Sequence, residues 1–329
     1  MICRYDKTLK TTDMNKQYQK INELVIAGLK SKGLKWFRPW KNSAGQIQIP
    51  VNNATGRPYK GFNVFLLNAV QQGMGYTHNE WITYKQAQNK GGQVQKGEKS
   101  TAVFMWKISF YDVNADPKKF YRTEQEALNA GIERKHIRKA FSLRQWNVFN
   151  ISQCEGIEPR NPVTIEEPVE VDPSTACENA QATIDAWADC PEIRTIGNQA
   201  CYNPIADIVK MPKIESFVDC DSYYKTLFHE LAHSTGHKDR LNRDLTGGMS
   251  SDSYAKEELV AEIASIYLSE IHGLDPKDSL SNSQAYVNGW VSKIENAKGN
   301  EEGFVVSAMG QAMKAVEMIH SNAEEAVEA

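Results

Sequence analysis

The sequence predicts an α+β protein of two domains, in which a basic α+β module precedes a mostly helical domain with a small sheet. The first observation is charge: residues 1–150 carry 25 Lys and Arg against 10 Asp and Glu, a net +15, whereas residues 151–329 carry 13 against 31, a net −18. The second is pattern, because strand and turn signals fill the first part and helical repeats fill the second. With 329 residues, 41% of them apolar, the chain can bury a core in each part.

The predicted boundaries follow the same division. Residues 1–153 form the basic module, residues 154–174 a linker, and residues 175–329 the second domain. The linker is predicted because residues 155–173 contain four prolines and many acids, a composition that favours extended chain. Charge of opposite sign in the two parts indicates a module that meets a polyanion, joined to one that does not.

Composition also excludes some classes of protein. The sequence contains no run of 18 apolar residues and no signal-peptide pattern, so we expect a soluble, cytoplasmic protein with no membrane partner. Its six cysteines are scattered without a CxxC motif. In a cytosolic protein such cysteines should remain reduced, and we expect no redox or zinc role for them.

The elements of the basic module follow from periodicity and turn residues. A helix is predicted over residues 13–32, where apolar residues recur at helical spacing before Gly33. Strands are predicted over residues 101–106 and 144–150. The aromatic residues that alternate within these strands are expected in the core: Phe104, Trp106 and Trp146.

Other aromatic residues are interleaved with Lys and Arg in turn-rich segments such as Leu34-Lys-Trp-Phe-Arg-Pro-Trp-Lys41. Bases stack on such rings while cations contact phosphates, so the pattern predicts binding of single-stranded nucleic acid without sequence preference. No helix-turn-helix or zinc-finger pattern favours a duplex. The alternative is that the rings are core residues and the lysines are simply solvated. The candidate contacts are Trp36, Arg38, Trp40, Lys41, Arg57, Tyr59, Asn63, Trp81, Tyr84, Lys85, Lys96 and Lys99.

The second domain has mostly helical signals. Helices are predicted over residues 176–187, 223–237, 255–268, 283–298 and 303–321, with two short strands within residues 199–212. The strand at residues 207–211 is predicted to lie beside the helix at 223–237. It would either pair with an extended substrate or be an ordinary member of the sheet.

The segment His229-Glu-Leu-Ala-His233 is an HExxH motif on a predicted helix. Residues four apart share a helix face, so the two imidazoles can bind one tetrahedral Zn²⁺. Glu230 then lies beside the metal, where it can act as the catalytic base that takes a proton from water. This is the arrangement of zincin metallopeptidases. The alternative is an amphipathic helix with two incidental histidines.

The third protein ligand has two candidates. Glu258 and Glu262 are again four apart on a helical face, a spacing that resembles the glutamate zincins. That resemblance implies the favoured assignment, in which Glu258 is the ligand and Glu262 its supporting carboxylate. The reverse assignment also fits the spacing. The other candidate is Asp239, which takes the place of the last His in the pattern HExxHxxGxxH. The expected cofactor is Zn²⁺, with another divalent metal such as Mn²⁺ as an alternative.

Several motifs together resemble the ArdC-type antirestriction proteins. The family's single-strand DNA-binding domain is similar to Trp36-Phe-Arg-Pro-Trp40, Tyr59-Lys-Gly-Phe-Asn63, Trp81-Ile-Thr-Tyr84 and Lys96-Gly-Glu-Lys99. Its zincin-like domain is similar to His229-Glu-Leu-Ala-His-Ser-Thr-Gly-His237, Arg240-Leu-Asn-Arg243 and Tyr254-Ala-Lys-Glu-Glu-Leu-Val-Ala-Glu262. One departure is Ser234, where the family pattern has a bulky aromatic residue.

The resemblance implies an antirestriction protein of a mobile element, such as a conjugative plasmid, that binds single-stranded DNA and carries a zinc-dependent peptidase-like site. Two alternatives remain open at this point. One is a non-enzymatic protein that shields DNA and holds a structural metal. The other is a DNA-tethered protease whose substrates are proteins bound to DNA.

Overall fold

A long antiparallel hairpin organises the N-terminal part of the computed structural model, which describes residues 11–39, 41, 47–160, 173–246, 252–275, 284–296 and 303–327. The helices of this part are α1 (Thr11–Lys32), α2 (Phe62–Met74), α3 (Tyr84–Asn89) and α4 (Glu124–Asn129). The strands are β1 (Val51–Asn52), β2 (Glu80–Ile82), β3 (Gln93–Val94), β4 (Thr101–Asp112), β5 (Phe120–Tyr121), β6 (Ile137–Asn150) and β7 (Cys154–Glu155).

The hairpin consists of β4 and β6, which pair continuously from Thr101↔Val148 to Asp112↔Ile137. It lies within a sheet of order β1-β2-β6-β4-β5. Both strands are longer than predicted. The sequence prediction was too short because cations such as Lys107 and Lys139 interrupt the apolar alternation, and a hairpin that is partly open to solvent tolerates them.

The second part contains the helices α5 (Pro173–Ala186), α6 (Cys220–Ser234), α7 (Asp252–His272), α8 (Gln284–Asn296) and α9 (Phe304–Val327). Its sheet has the order β8-β10-β9, formed by β8 (Glu192–Thr195), β9 (Cys201–Asn203) and β10 (Ile208–Met211). The predicted α+β class, with a mostly helical second part and a small sheet, is confirmed. The helix boundaries differ from the predicted ones by a few residues.

One large hydrophobic core is shared by the two parts, and a smaller cluster of Leu67, Trp81, Val103 and Val148 lies within the N-terminal part, whereas the sequence predicted a separate core in each part. Buried side chains of α1, α2 and β4 belong to the same cluster as those of α5 to α9. Phe65 on α2 packs edge-on against Tyr267 on α7, with ring centroids 5.9 Å apart. Lys30 on α1 also reaches Glu295 on α8 at 2.9 Å. Composition alone could not reveal that the two parts pack together, because this packing depends on how amphipathic faces meet in three dimensions.

The predicted linker begins too early in the sequence. Residues 154 and 155 form β7, which pairs with β3. The backbone N–H of Arg160 then donates to both carboxylate oxygens of the buried Glu80, at 2.9 and 3.0 Å. A buried carboxylate needs such donors, and they fix this segment to the N-terminal part. The rest of the predicted linker, residues 161–172, lies outside the described residues.

The cysteines differ from the expectation that all stay reduced. Cys177 on α5 and Cys220 at the start of α6 form a disulfide with a Cα–Cα distance of 6.4 Å. Cys154, Cys190 and Cys201 are free. The sequence positions of the bonded pair, 43 residues apart, gave no indication of this pairing. Among the described residues, no helix is both long enough and apolar enough to cross a membrane.

Candidate metal centre and candidate nucleic-acid contacts

Helix α6 presents the HExxH motif with one face buried and the other facing an open groove. Its N-terminus is capped by Asp219, whose side chain accepts the N–H of Ser222 at 2.8 Å. Leu227, Phe228, Leu231 and Ala232 are buried in the shared core. His229, Glu230 and His233 lie on the other side of the helix, where they are only half-buried. Amphipathicity thus orients the motif toward the groove.

Among the described residues, one group of three side chains could hold a metal ion: His229, His233 and Glu258. The two Nε2 atoms are 3.2 Å apart. Oε2 of Glu258 lies 3.7 Å from Nε2 of His229, and Oε1 of the same carboxylate lies 3.5 Å from Nε2 of His233. Ligands bound at ~2.0–2.1 Å to one tetrahedral ion lie about 3.3–3.4 Å apart. The three side chains therefore fit a divalent cation in both chemistry and spacing.

The other ring nitrogen of each histidine faces a second carboxylate on α7. Nδ1 of His229 lies 3.5 Å from Glu262, and Nδ1 of His233 lies 3.3 Å from Glu257. Such carboxylates fix the tautomer and orientation of a ligand histidine. Glu262 thus lies beside Nδ1 of His229, and Glu257 is the equivalent neighbour of His233.

Electrostatics at this cluster favour positive charge. Burial by itself would lower the pKa of both histidines, but the neighbouring carboxylates, Glu258 first for His229 and Glu257 first for His233, outweigh it and raise both pKa values. Burial would likewise raise the pKa of Glu258, yet its hydrogen bonds to the two histidines hold this pKa well below the usual range. A bound divalent cation would be stabilised by the same carboxylates.

Arg243 connects Glu257 to the end of α6. Its Nε and Nη2 atoms donate to the two oxygens of Glu257 at 2.8 and 2.6 Å, while Nη1 donates to Thr235 Oγ1 and Nη2 to the carbonyl of Ala232, both at 2.7 Å. Both side chains are buried, with 7% of Arg243 and 10% of Glu257 exposed. This bidentate pair fixes the carboxylate that orients His233.

Glu230 is positioned by the small sheet. Its Oε2 accepts the backbone N–H of Tyr202 at 2.8 Å, on strand β9. Strand β9 is an edge of the sheet, whereas β10 pairs on both sides and cannot take a further strand. Of the two roles expected for residues 207–211, the structure supports the ordinary member of the sheet. The edge beside the motif is β9.

A second arginine connects α6 to this edge strand. Arg240 donates to the carbonyl of Ser234 at 2.7 Å and forms a bidentate pair with Asp207, in the turn between β9 and β10. The hydroxyl of Tyr202 donates to the same carboxylate at 2.8 Å. Arg240 therefore helps to hold the strand whose N–H positions Glu230.

Asp239 lies outside the group of converging ligand atoms. Its side chain is 73% exposed, and its carboxylate lies 3.5 Å from Nδ1 of His237. Helix α6 ends at Ser234, and the turn that follows points Asp239 toward solvent. Ser234 itself is buried and donates to the carbonyl of Leu231 at 2.7 Å, so it does not shape the groove wall.

The groove beside the motif has a volume of about 410 Å³. Besides the cluster residues it is lined by Cys201 and Tyr202 of β9, by Asp244 and Leu245 of the loop after α6, and by Tyr254 of α7. Burial, and then the adjacent charge of Glu258, raise the pKa of the Tyr254 hydroxyl. The groove is open enough to admit an extended chain along β9.

Sequence reasoning did not single out Glu257, Arg243, Arg240, Tyr202 or Tyr254 for a role. Glu257 adjoins Glu258, but the spacing argument considered only acids four residues apart. The two arginines did appear in the motif Arg240-Leu-Asn-Arg243, which had no chemical role attached to it. Two arginines that closely follow the HExxH helix are the signal that could have indicated ion-pair partners for acidic residues near the site.

Three of the predicted nucleic-acid contacts are wrong because the side chains are buried. Trp36 packs edge-on against Phe37, and a Cβ at Gly28 would collide with its ring. Trp81 is fully buried and donates its indole N–H to Asn79 at 3.0 Å. Asn63 makes paired hydrogen bonds with the backbone of Phe104, at 2.7 and 2.9 Å. These residues hold the sheet and helices together and offer no surface to a base.

Two of the predicted cations already have an acidic partner. Nε of Arg38 and Nζ of Lys41 lie 2.9 and 2.8 Å from the two oxygens of Glu270, near the end of α7. Glu270 belongs to the helix that carries Glu257, Glu258 and Glu262. The ion pairs therefore join the N-terminal part to the helix of the candidate metal centre.

The remaining predicted contacts lie at the surface or outside the described residues. Exposed side chains are Arg57, Tyr84, Lys85, Lys96 and Lys99. Tyr59 is half-buried against the sheet, and burial raises the pKa of its hydroxyl. Trp40 is not among the described residues, and of Trp106 only the backbone is described. Phe104 is in the core as predicted, but the prediction for Trp146 is wrong, because this ring lies half-exposed on the hairpin.

These parts define a class: a zincin-like metallopeptidase domain that follows an ArdC-type N-terminal domain. Residues 178–302 match the family of zincin-like metallopeptidases, and residues 15–149 match the N-terminal domain of the anti-restriction factor ArdC. The HExxH motif on α6 and the acids of α7 fall within the first range, and the hairpin falls within the second.

Two solved structures match nearly the whole chain. Its fold matches the crystal structure of the antirestriction protein ArdC from plasmid R388 in its Mn(II)-bound form, with a TM-score of 0.65 and 31% identity over 93% of this chain and 97% of that one. The metal-free form matches with a TM-score of 0.65 and 30% identity, over 94% of this chain and 98% of that one. The protein belongs to the ArdC antirestriction family.

Two other relatives differ from each other in how much of their own length matches this chain. An uncharacterised Sinorhizobium fredii (strain NBRC 101917 / NGR234) protein, y4eC, is 29% identical over 98% of this chain and 96% of its own length. A DNA primase TraC of Escherichia coli is 33% identical over 281 residues, which cover 85% of this chain but only 18% of the primase. The chain thus corresponds to a small part of that much longer protein.

Proposed function

We propose that this protein is a divalent-metal peptidase that binds single-stranded DNA and protects it from restriction. The observation that supports the peptidase site best is the convergence of His229, His233 and Glu258 beside Glu230. A purely structural metal would need the three ligands but would have no use for Glu230. The Mn(II)-bound form of the R388 protein supports a divalent metal, and the zincin-like family supports zinc.

In this proposal each protein group has a defined role. A divalent metal held by His229, His233 and Glu258 would polarise the scissile carbonyl and a water molecule. Glu230 is the general base that accepts the proton of the attacking water, and the N–H of Tyr202 fixes its carboxylate. Strand β9 pairs with the extended substrate along the groove.

The supporting carboxylates keep the ligands in place. Glu262 and Glu257 accept the Nδ1–H of the two histidines, so that both Nε2 atoms stay free to bind the metal. Arg243 holds Glu257 in turn. The two carboxylates and Arg243 are buried and act without contacting the substrate.

DNA binding is proposed for the N-terminal part. The net charge of +15 in residues 1–150 attracts phosphates, and the match of residues 15–149 to the ArdC N-terminal domain supports a place for DNA there. The exposed cations and rings that remain from the sequence prediction are candidate contacts: Arg57, Tyr84, Lys85, Lys96 and Lys99.

A second mechanism of protection is occupancy, in which the protein covers DNA and cleaves nothing. The shared core favours coupling of the two parts, because a DNA-binding part packed against α7, which carries Glu258, brings the groove to any protein on the same strand. This supports a protease for DNA-bound proteins over a simple DNA cover.

The test uses the whole protein, loaded with Zn²⁺ or Mn²⁺, with and without a single-stranded oligonucleotide. Mass spectrometry of a mixed peptide and protein pool should detect cleavage that a chelator abolishes. Glu230→Gln removes the base but no ligand, so it should keep the metal content and the DNA binding and lose the cleavage. Absence of cleavage by the loaded native protein contradicts the peptidase proposal.

Protection itself is tested in cells that restrict incoming DNA. If cleavage is the mechanism, Glu230→Gln loses protection although it still binds DNA. A variant that protects as well as the native protein assigns protection to occupancy. Either result separates the two mechanisms, because the variant leaves the DNA-binding part unchanged.

A further inference from the structure

Part of one face of the β4–β6 hairpin is open to solvent and carries an aromatic ring among cations. In the register of the hairpin, Met105 pairs with Arg144. Trp146 lies two residues from Arg144 on one side of this pair, and Lys107 lies two residues from Met105 on the other side. Residues two apart share a face, so these four side chains form one continuous surface. We call this surface the hairpin patch: Met105, Lys107, Arg144 and Trp146.

The hairpin patch is exposed, whereas one end of the same face is covered. Trp146 is 51% and Met105 50% exposed, and Lys107 and Arg144 are exposed as well. At one end of the same face Val103 and Val148 are buried with Leu67 and Trp81. A half-exposed Trp beside an exposed Met leaves apolar surface in water, which is unfavourable for the isolated protein.

The chemistry of the patch indicates its occupant. No acid pairs with Lys107 or Arg144 within the part of the chain that the structure describes, and no Asp or Glu shares this face along the paired segment that runs from Thr101↔Val148 to Tyr111↔Arg138. Trp146 with Arg144 beside it, and Lys107 one register position further along the face, suit a base that stacks on the ring and phosphates that contact the cations. The net charge of +15 around it also favours a polyanion over a protein surface or a neutral ligand.

We propose that the hairpin patch is a base-stacking surface for single-stranded nucleic acid, an inference that rests on the proposed DNA binding. It replaces the buried Trp36 and Trp81 as the source of aromatic contacts. Duplex DNA keeps its bases stacked within the helix, so a surface of this kind selects a single strand.

The experiment titrates a labelled oligothymidine with the full-length protein at several salt concentrations and follows fluorescence anisotropy. Trp146→Ala should weaken binding by about fivefold to 100-fold with an unchanged salt dependence, and Trp146→Phe should retain most of the affinity. Arg144→Ala and Lys107→Ala should instead flatten the slope of log K against log salt, by about 0.7 for each phosphate that the variant no longer neutralises.

Controls separate the patch from a general loss of charge or fold. Lys213→Ala removes an exposed cation in the second part and should leave both affinity and slope unchanged. Because Trp146 is half-exposed, its Ala variant should unfold at the same urea concentration as the native protein.

The outcomes are distinguishable. If the native protein binds the strand and the Trp146 and Arg144 variants bind it equally well, the hairpin patch is not the site, although DNA binding stands. A native protein that binds no single strand contradicts the proposed DNA binding itself, and the patch with it. Tighter binding to duplex than to single strand also overturns the assignment.

Discussion

The pair formed by Arg243 and Glu257 gives a quantitative test of how the candidate metal centre is held. Both side chains are almost fully buried, and Glu257 also contacts Nδ1 of His233 at 3.3 Å. Replacing Arg243 by Gln leaves a buried carboxylate without its main counter-ion, which costs about 3–5 kcal/mol. Metal affinity should also fall by about 10–100-fold, because Glu257 no longer fixes His233.

The free energy of unfolding is measured by urea denaturation in excess chelator, so that loss of metal does not contribute. Metal affinity is measured separately by titration with Zn²⁺. The matched control is Arg194→Gln, which removes an equally bidentate arginine from the exposed pair with Glu192 and should change neither quantity. If Arg243→Gln behaves like this control, the reasoning about the buried pair is wrong.

Three further predictions concern other described residues. Glu258→Gln should lose bound metal by elemental analysis while Asp239→Ala keeps it, and the opposite result would assign the third ligand to Asp239. Glu270→Gln frees two cations of the N-terminal part, so single-strand affinity should rise and the salt slope should steepen by about 0.7 for each additional phosphate neutralised; an unchanged slope contradicts this. Burial and then the nearby His320 lower the pKa of His272 to about 4 from 6.5, so the unfolded chain takes the proton first as pH falls. The free energy of unfolding should therefore decline between pH 6.5 and 4 by up to about 3 kcal/mol, and His272→Gln should remove this decline in urea titrations.

The candidate metal ligands could be proposed from the sequence because helical spacing fixes which side chains share a face. His229 and His233 must share a face of α6, and Glu258 and Glu262 must share a face of α7. Their roles differ only through tertiary packing, since α7 lies so that one carboxylate meets both Nε2 atoms and the other meets one Nδ1. No pattern along the chain contains that information.

The nucleic-acid contacts were harder to predict, because exposure of a ring depends on what packs over it. Trp36 and Trp81 stand beside turn residues and cations in the sequence, yet α1 and the central strands cover them. Trp146 alternates within a strand, which suggested the core, but among the described residues no element covers the middle of that hairpin face. Period-two patterning identifies the two faces of a strand and does not say which one is buried.

The division into domains was also only partly predictable. Charge divides the sequence into a basic and an acidic part, but the shared core runs through both. A fragment that ends near residue 150 would expose Ile21, Phe65 and their neighbours, which are buried in the shared cluster. Experiments on DNA binding therefore belong on the whole chain.

In the proposed function, the HExxH motif and α7 together bind one catalytic metal. X-ray absorption at the zinc edge of the loaded protein measures the ligands directly. The proposal predicts two imidazole nitrogens at about 2.0–2.1 Å with further oxygen ligands, and loss of one nitrogen in His233→Ala. A spectrum without imidazole ligands, or one that His233→Ala leaves unchanged, would contradict it.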